Sequence, residues 1–278
     1  MKDFNGRVAA ITGAGSGIGR ALAIDLARRG AHLALCDVDE TGLAETVGRC
    51  EGRGVKVTSQ RLDVADRDAV FAWADTVVAE HGQVNLVFNN AGVALSATVE
   101  AMSIEDFTWL MDIDFWGVVH GTQAFLPHLK ASGEGHVVNI SSVFGLISIP
   151  SQSAYNAAKF AVRGFTDSLR MELEIEGAPV SSTTVHPGGI KTNIVRNSRL
   201  DESTAAVSGA GSKDQLIKEF DKLARTTPEK AARVIIAAVE ANRRRVLIGP
   251  DARLFDLASR LPAGVYQRVL VKGSQRRR

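Results

Sequence analysis

A chain of 278 residues, 45% hydrophobic and 23% charged, has a globular composition and can bury a large core in one α/β domain or two small ones. A formal net charge of +2, with no basic stripe interleaved with aromatics, argues against nucleic-acid binding. Only Cys36 and Cys50 are present, in segments that read as a strand and a helix. They make neither a disulfide framework nor a metal-ligand cluster, so no metal is expected.

Residues 1–7 lead directly into a first strand without a signal-peptide hydrophobic region. No apolar run is long enough to span a bilayer, and a cytoplasmic location is expected. Residues 7–12 form a nearly continuous apolar run, as a parallel strand buried on both faces requires. A glycine-rich turn, 13–19, follows, and 20–29 reads as a helix ended by Gly30. Residues 32–36 are a second strand closed by Asp37, 40–50 a helix, 55–62 a third strand, and 66–80 a helix capped by Asp66. A fourth strand, 84–88, runs into Asn89-Asn90-Ala91-Gly92. A helical pattern then spans 103–131, interrupted at Pro127, before a fifth strand at 135–140. Asn139-Ile140-Ser141 fits a glycosylation sequon but lies in that strand, which is expected to be buried, and it is discounted. A helix covers 153–176 and a sixth strand 180–185, broken by His186-Pro187-Gly188-Gly189. Helices at 213–224 and 229–242 and a last strand at 245–248 complete the pattern.

Strands and helices alternate with short connections, and no linker divides them. Right-handed crossovers then give an α/β fold, a single domain built on a doubly wound parallel sheet of about seven strands with helices on both faces. Two segments are less regular. Residues 196–211 are rich in Ser, Ala and Gly and read as a mobile loop, so 196–224 is the expected substrate lid. Residues 250–278 hold an amphipathic segment at 253–261, a second apolar stretch at 266–271 and the basic tail 275–278. They read as a helix packing on the body or on a neighbouring subunit; the sharper alternative is a peripheral membrane contact.

The chemistry centres on Tyr155 and Lys159, four residues apart and therefore on one face of a helix. An ammonium beside a phenol favours phenolate and makes the hydroxyl a usable proton carrier near neutral pH. A serine from Ser141-Ser142 can hydrogen-bond the oxygen of a carbonyl being reduced or an alcohol being oxidised. The glycine turn follows a buried strand and opens a helix. Its backbone can approach a pyrophosphate, and free amides at the helix N-terminus meet the negative charge. Asp37, ending the second strand, can accept both hydroxyls of an adenosine ribose and would repel a 2′-phosphate. No Lys or Arg lies between Gly13 and Gly19 or at 38–40. Both facts favour NAD, with NADP the lesser alternative.

Thr12-Gly13-x-x-x-Gly17-x-Gly19 resembles the glycine motif of the classical short-chain dehydrogenase/reductase family, and the resemblance continues along nearly the whole chain. Asp63-Val64 is similar to the family's adenine-contacting pair, and Asn89-Asn90-Ala91-Gly92 to its signature after the fourth strand. Ser142, thirteen residues before Tyr155, stands at the family's interval for its catalytic serine, and Tyr155-x-x-x-Lys159 resembles its active-site element. Pro187-Gly188-Gly189-Ile190-Lys191-Thr192 looks like its nicotinamide-side loop, with Ile190 and Thr192 holding the carboxamide.

The resemblance implies a Rossmann-type NAD-dependent oxidoreductase that moves hydride to or from a largely apolar secondary alcohol or ketone. It implies that Tyr155 is the general acid/base, that Lys159 lowers its pKa and binds the nicotinamide ribose, and that Ser142 steadies the substrate oxygen. Gly13, Ser16, Gly17, Ile18, Gly19, Asp37, Asp63, Val64, Asn90, Ala91, Gly92, Pro187, Gly188, Ile190 and Thr192 would hold the cofactor with Tyr155 and Lys159. There is one departure. Asp114 stands where the family usually has an Asn that supports a proton relay; it joins the catalytic set as a candidate charge partner for Lys159.

Ala94, Phe144 and Ile149 are the expected substrate contacts, with Val93, Leu95, Val143 and Leu146 nearby. His186 reads as a structural hydrogen-bonding residue, and His120 and His128 have no metal-ligand partners in view. Homodimers or homotetramers, paired through the 103–131 and 153–176 helices, follow by the same analogy. The rival readings are an NADP-dependent carbonyl or 3-oxoacyl-carrier-protein reductase and a nicotinamide-binding sensor without turnover.

Overall fold

Val8–Thr12 (β1) is buried at every position, because parallel strands lie on both sides of it and helices cover both of its faces. The computed structural model describes residues 1–208 and 212–275. After β1 come Gly17–Arg28 (α1), His32–Asp37 (β2), Glu40–Cys50 (α2), Val57–Arg61 (β3), Arg67–His81 (α3) and Leu86–Asn89 (β4). Leu95–Ser96 (β5), Ile104–Met111 (α4), Gly117–Ala131 (α5), Gly135–Ile140 (β6), Ser153–Glu176 (α6) and Val180–Pro187 (β7) follow. The chain continues through Arg199–Leu200 (β8), Ala205–Ser208 (α7), Lys213–Leu223 (α8), Pro228–Glu240 (α9), Arg245–Ile248 (β9), Pro250–Ala258 (α10) and Ala263–Gln275 (α11).

Seven strands form one sheet in the order β3-β2-β1-β4-β6-β7-β9, all parallel. Alternate residues of β1 feed opposite layers. Ala9 and Ile11 pack with Leu22 and Leu26 of α1 and Ile235 and Val239 of α9. Val8 and Ala10 face Trp73 and Val77 of α3, Phe125 and Leu129 of α5, and Leu169 and Leu173 of α6. The strand order reverses between β1 and β4, and the crevice outside their carboxyl ends is where a doubly wound sheet receives a ligand.

The third strand is shorter than expected, and the second and sixth run on through Asp37 and Pro187. β7 is extended because β9 pairs with it as far as Pro187 opposite Ile248. The long helix is interrupted elsewhere than at Pro127, which lies within α5. Pro127 and Gln123 are both exposed, so the carbonyl freed four residues back is on the solvent side and the helix continues. The break is a five-residue π-helical turn, Asp112–Trp116, between α4 and α5.

The 196–208 stretch is structured. β8 pairs with β5, and the Arg199 guanidinium sits 3.8 Å from the centroid of the Trp109 ring while contacting Asp106 at 2.6 Å. Residues 209–211 of the expected lid and 276–278 of the basic tail lie outside the described residues. The amphipathic C-terminal segment forms α10 and α11. Ala252 and Asp256 face inward, and Leu254, Leu257 and Leu261 lie outward. Among the described residues no helix is long and apolar enough to cross a membrane.

Two outcomes are expected. Phe125→Ala removes a fully buried ring that meets Trp73 edge-on at 5.1 Å, and should lower unfolding free energy by about 3–5 kcal/mol in chemical denaturation. Arg199→Ala should leave the body intact but make limited proteolysis between 196 and 213 several-fold faster.

Candidate active site

The glycines at the mouth of the crevice are dictated by close approach. A Cβ on Gly19 would stand 2.2 Å from the Gly13 carbonyl oxygen, and one on Gly13 would stand 2.8 Å from the Ala91 Cα. Gly17, with φ of 54°, opens α1 directly opposite the Thr192 methyl. Ser16 precedes it in extended conformation and its side chain makes no cap, leaving the first amides of α1 free for an anion. The Asn90 side chain donates to the Thr12 and Gly13 carbonyls at 2.9 and 3.1 Å, and the Thr12 hydroxyl accepts from the amides of Asn90 and Ala91. Asn90 therefore ties the end of β4 to the glycine turn. Its amide group reaches the backbone rather than the crevice.

Asp37 stands at the carboxyl end of β2. One carboxylate oxygen accepts the Gly15 amide at 2.7 Å and the other the Asp39 amide at 2.9 Å. Arg20, one residue past the glycine turn, is the neighbouring base that the sequence reading passed over. Its guanidinium is tied to the Gly15 and Gly42 carbonyls, to Thr46 and to Glu45, so it is held by α2. Asp63 is exposed and accepts the Ala65 amide; Val64 is buried against Gly117, where a Cβ would stand 2.7 Å from its methyl. His120 contacts the Val64 carbonyl at 3.1 Å, and His128 meets Asp75 at 3.3 Å.

The candidate reacting groups converge beside β6 and α6. The two serines are divided by their partners. Ser141 donates to the Lys159 carbonyl at 2.8 Å, whereas Ser142 accepts the Phe144 amide and its hydroxyl favours the Tyr155 phenolate. His186 Nδ1 meets the Ser142 carbonyl at 2.8 Å, and burial holds its ring neutral, with a pKa of about 4. Lys159 Nζ lies 5.5 Å from the Tyr155 ring centroid, 3.3 Å from the Ile140 carbonyl and 3.1 Å from Asp114 Oδ2. The π-helical turn carries Asp114 inward, and its other oxygen accepts the Val93 amide at 2.7 Å. Gly92 leaves space for both charges, with Asp114 Oδ1 and Lys159 Nζ 3.3 and 3.5 Å from where its Cβ would be.

This ion pair is almost completely buried, with side chains 5% and 0% exposed. Burial opposes the Lys159 ammonium, but Asp114 and the Tyr155 oxygen outweigh it and hold its pKa above the usual value. Burial raises the Asp114 carboxyl more than Lys159 and the Val93 amide lower it. Burial is also the largest influence on Tyr155 and raises it; Lys159 opposes this, Asp114 adds to it, and the Ser142 hydroxyl offsets only part. The net direction is upward, contrary to the expectation that Lys159 brings the phenol toward neutral pH. Burial outweighs the Lys159 charge, and Asp114 adds to the effect of burial.

The apolar surround of Tyr155 includes Val93, Leu95, Phe144 and Ile194, with Phe144 edge-on to the Tyr155 ring at 6.2 Å. Ala94 is buried and its carbonyl accepts the Arg199 amide; Val143 and Leu146 are core residues. Ile149 lines a separate apolar hollow with Val99, Pro150, Phe160, Leu270 and Val271, on the face of α6 turned toward α11. Ile194, just ahead of the expected lid, carried no sequence signal beyond being apolar.

Residues 7–203 match the short chain dehydrogenase family. The chain belongs to that family. It is similar to the putative oxidoreductase SadH of Mycobacterium tuberculosis, 51% identical over 275 residues that cover 98% of this chain and 97% of that protein. Among solved structures it resembles a short chain dehydrogenase/reductase from Burkholderia phymatum in complex with NAD, at 32% identity and a TM-score of 0.85, covering 97% of each chain. It also resembles an alcohol dehydrogenase from the archaeon Thermococcus sibiricus complexed with 5-hydroxy-NADP, at 25% identity and a TM-score of 0.73, covering 87% of this chain and 95% of that one. The chain is thus an oxidoreductase, and the glycine cradle and uncapped α1 N-terminus at the switch point fit a nicotinamide dinucleotide.

Proposed function

We propose that this oxidoreductase interconverts a largely apolar secondary alcohol and its ketone with NAD(H). The observation that carries the reading is the buried cluster of Ser142, Tyr155 and Lys159 beside the crevice where the strand order reverses. When bound, the nicotinamide ring supplies the hydride acceptor or donor, and its oxidised form adds positive charge. Gly13, Ser16, Gly17, Ile18 and Gly19 would hold its pyrophosphate, Asp63 and Val64 its adenine, and Ala91, Gly92, Pro187, Gly188, Ile190 and Thr192 its nicotinamide half. Tyr155 gives the substrate oxygen a proton in reduction and takes it in oxidation, while Ser142 hydrogen-bonds the same oxygen. Lys159 holds the nicotinamide ribose, and its charge stabilises the phenolate.

The NAD preference is supported by Asp37, whose carboxylate would repel a 2′-phosphate, and by Arg20, whose guanidinium is engaged by α2. The NADP-type ligand of the Thermococcus protein keeps the alternative cofactor in the test. The apolar side chains around Tyr155 support an apolar substrate, with Phe144 and Ala94 at its near wall and the clamped 196–208 segment as cover. Exposed Trp116, Phe160, Met171 and Ile175 on the π-helical turn and α6 support pairing with a second copy, and a cytoplasmic location remains our reading.

Nicotinamide absorbance, followed with secondary alcohols and ketones and with NAD(H) and NADP(H) in parallel, tests the proposal. Turnover with NAD(H) is expected, and Tyr155→Phe should lower it by about 10²–10⁴-fold or more while cofactor binding persists. Retained turnover in that variant would refute the assignment.

Asp114→Asn keeps an acceptor for the Val93 amide and removes the carboxylate that raises Tyr155. Oxidation needs phenolate, so its rate rises with pH through the Tyr155 pKa. With the carboxylate gone that pKa falls, and the rising limb of kcat for alcohol oxidation should move to lower pH. An unmoved limb would show that Asp114 does not tune the phenol.

A further inference from the structure

The turn 187–189 is shaped by the C-terminal part of the chain, beyond the 7–203 region that the family match covers. Its amides and carbonyls are held from three directions. The Gly188 amide donates to the Ile248 carbonyl at the end of β9. Thr226, ahead of α9, donates its amide to the Gly189 carbonyl and accepts the Lys191 amide. The Gly189 amide donates to Asp251 Oδ2 at 2.6 Å, from the first turn of α10.

The carboxylate of Asp251 occupies a socket made by two glycines. A Cβ on Gly188 would stand 2.2 Å from Oδ2, and one on Gly249 would stand 2.3 Å from Oδ1. Gly249 has a φ of 101°, a backbone that side chains disfavour, and this conformation starts α10 so that Asp251 faces the turn. Three residues on from Gly189, the Thr192 methyl lies against Gly17 at the opening of α1. The turn therefore bridges the Asp251 socket on one side and the glycine turn on the other.

We infer that Asp251 is a positioning residue for the nicotinamide half of the cofactor: by fixing Gly188 and Gly189 it sets where Ile190 and Thr192 stand. The inference rests on reading 187–192 as the nicotinamide-side loop. It makes the segment after β9 part of the cofactor site, although that segment need not touch the cofactor. A charged acceptor gives the Gly189 amide a stronger bond than a neutral one, and the two missing side chains leave the carboxylate one place to sit.

Calorimetric titration of the full chain with NADH and with ADP-ribose, which lacks the nicotinamide, tests it. Asp251→Ala should weaken NADH binding about tenfold, the order of one lost bond to a charged group, while ADP-ribose binding stays within about twofold. Asp251→Asn, which retains an acceptor oxygen for the Gly189 amide, should recover most of the loss. Gly188→Ala, whose methyl would displace the carboxylate while leaving its charge in α10, should show the same selective loss and add little to Asp251→Ala. Unchanged NADH affinity in Asp251→Ala, or equal weakening of both ligands, would overturn the inference. If wild-type protein gains no affinity for NADH over ADP-ribose and Thr192→Ala loses none, the reading of the loop itself falls, and the inference with it.

Discussion

A buried ammonium has to be paired, and in this molecule Lys159 is paired with Asp114 across 3.1 Å in a site closed to solvent. Removing one partner of such a pair leaves a charge in low dielectric at a cost of several kcal/mol, so the surrounding chain is built to bring both to one place. The π-helical turn moves Asp114 inward from the α4–α5 helix, Gly92 leaves room beside the charges, the Val93 amide donates to Asp114 and Lys159 donates to the Ile140 carbonyl. Tyr155 is set against this neutralised pair. Its proton is therefore governed by burial and by two opposing charges rather than by a lone lysine.

The scaffold that delivers those groups is the parallel sheet with its order reversed between β1 and β4. The reversal opens a crevice, and the residues that end β1, β4 and β6 all meet there. Buried amides join these strands below it. Asn89 donates to Asn139, and Asn139 donates to Thr166 on α6, so the helix bearing Tyr155 and Lys159 is keyed to β4 and to β6, the strand that leads into Ser142. Residues 199–203 and the C-terminal helices then fasten the outer loops. Arg199 pins the former to α4, and Asp251 holds the turn after β7.

Much of this was legible in the sequence because it is local. A nearly continuous apolar run marked β1, Asp66 marked the cap of α3, spacing placed Tyr155 over Lys159, and the family resemblance selected Ser142 over Ser141. What was not legible depends on contacts between distant segments. The extension of β7 to Pro187 comes from pairing with β9, and the two-residue strands β5 and β8 exist only because each offers the other a partner. Pro127 looked like a helix break, yet its freed carbonyl lies on the solvent side, while the real irregularity at Asp112–Trp116 has no proline or glycine within it to announce it. Ile149, read with Phe144 as a substrate contact, lines a hollow between α6 and α11 instead. The direction of the Tyr155 shift was missed for the same reason. Asp114 was legible as a charge partner for Lys159, but spacing does not show burial, the largest influence on the phenol.

Burial keeps Tyr155 protonated against the pull of Lys159, with Asp114 adding to burial. The chain has only two tyrosines, Tyr155 and Tyr266, so phenolate absorbance can follow Tyr155 alone in a Tyr266→Phe background. Titrating that protein without nucleotide should give no phenolate from neutrality up to the ordinary tyrosine range. Phenolate growing near neutral pH would contradict the account and return control of the proton to Lys159 alone.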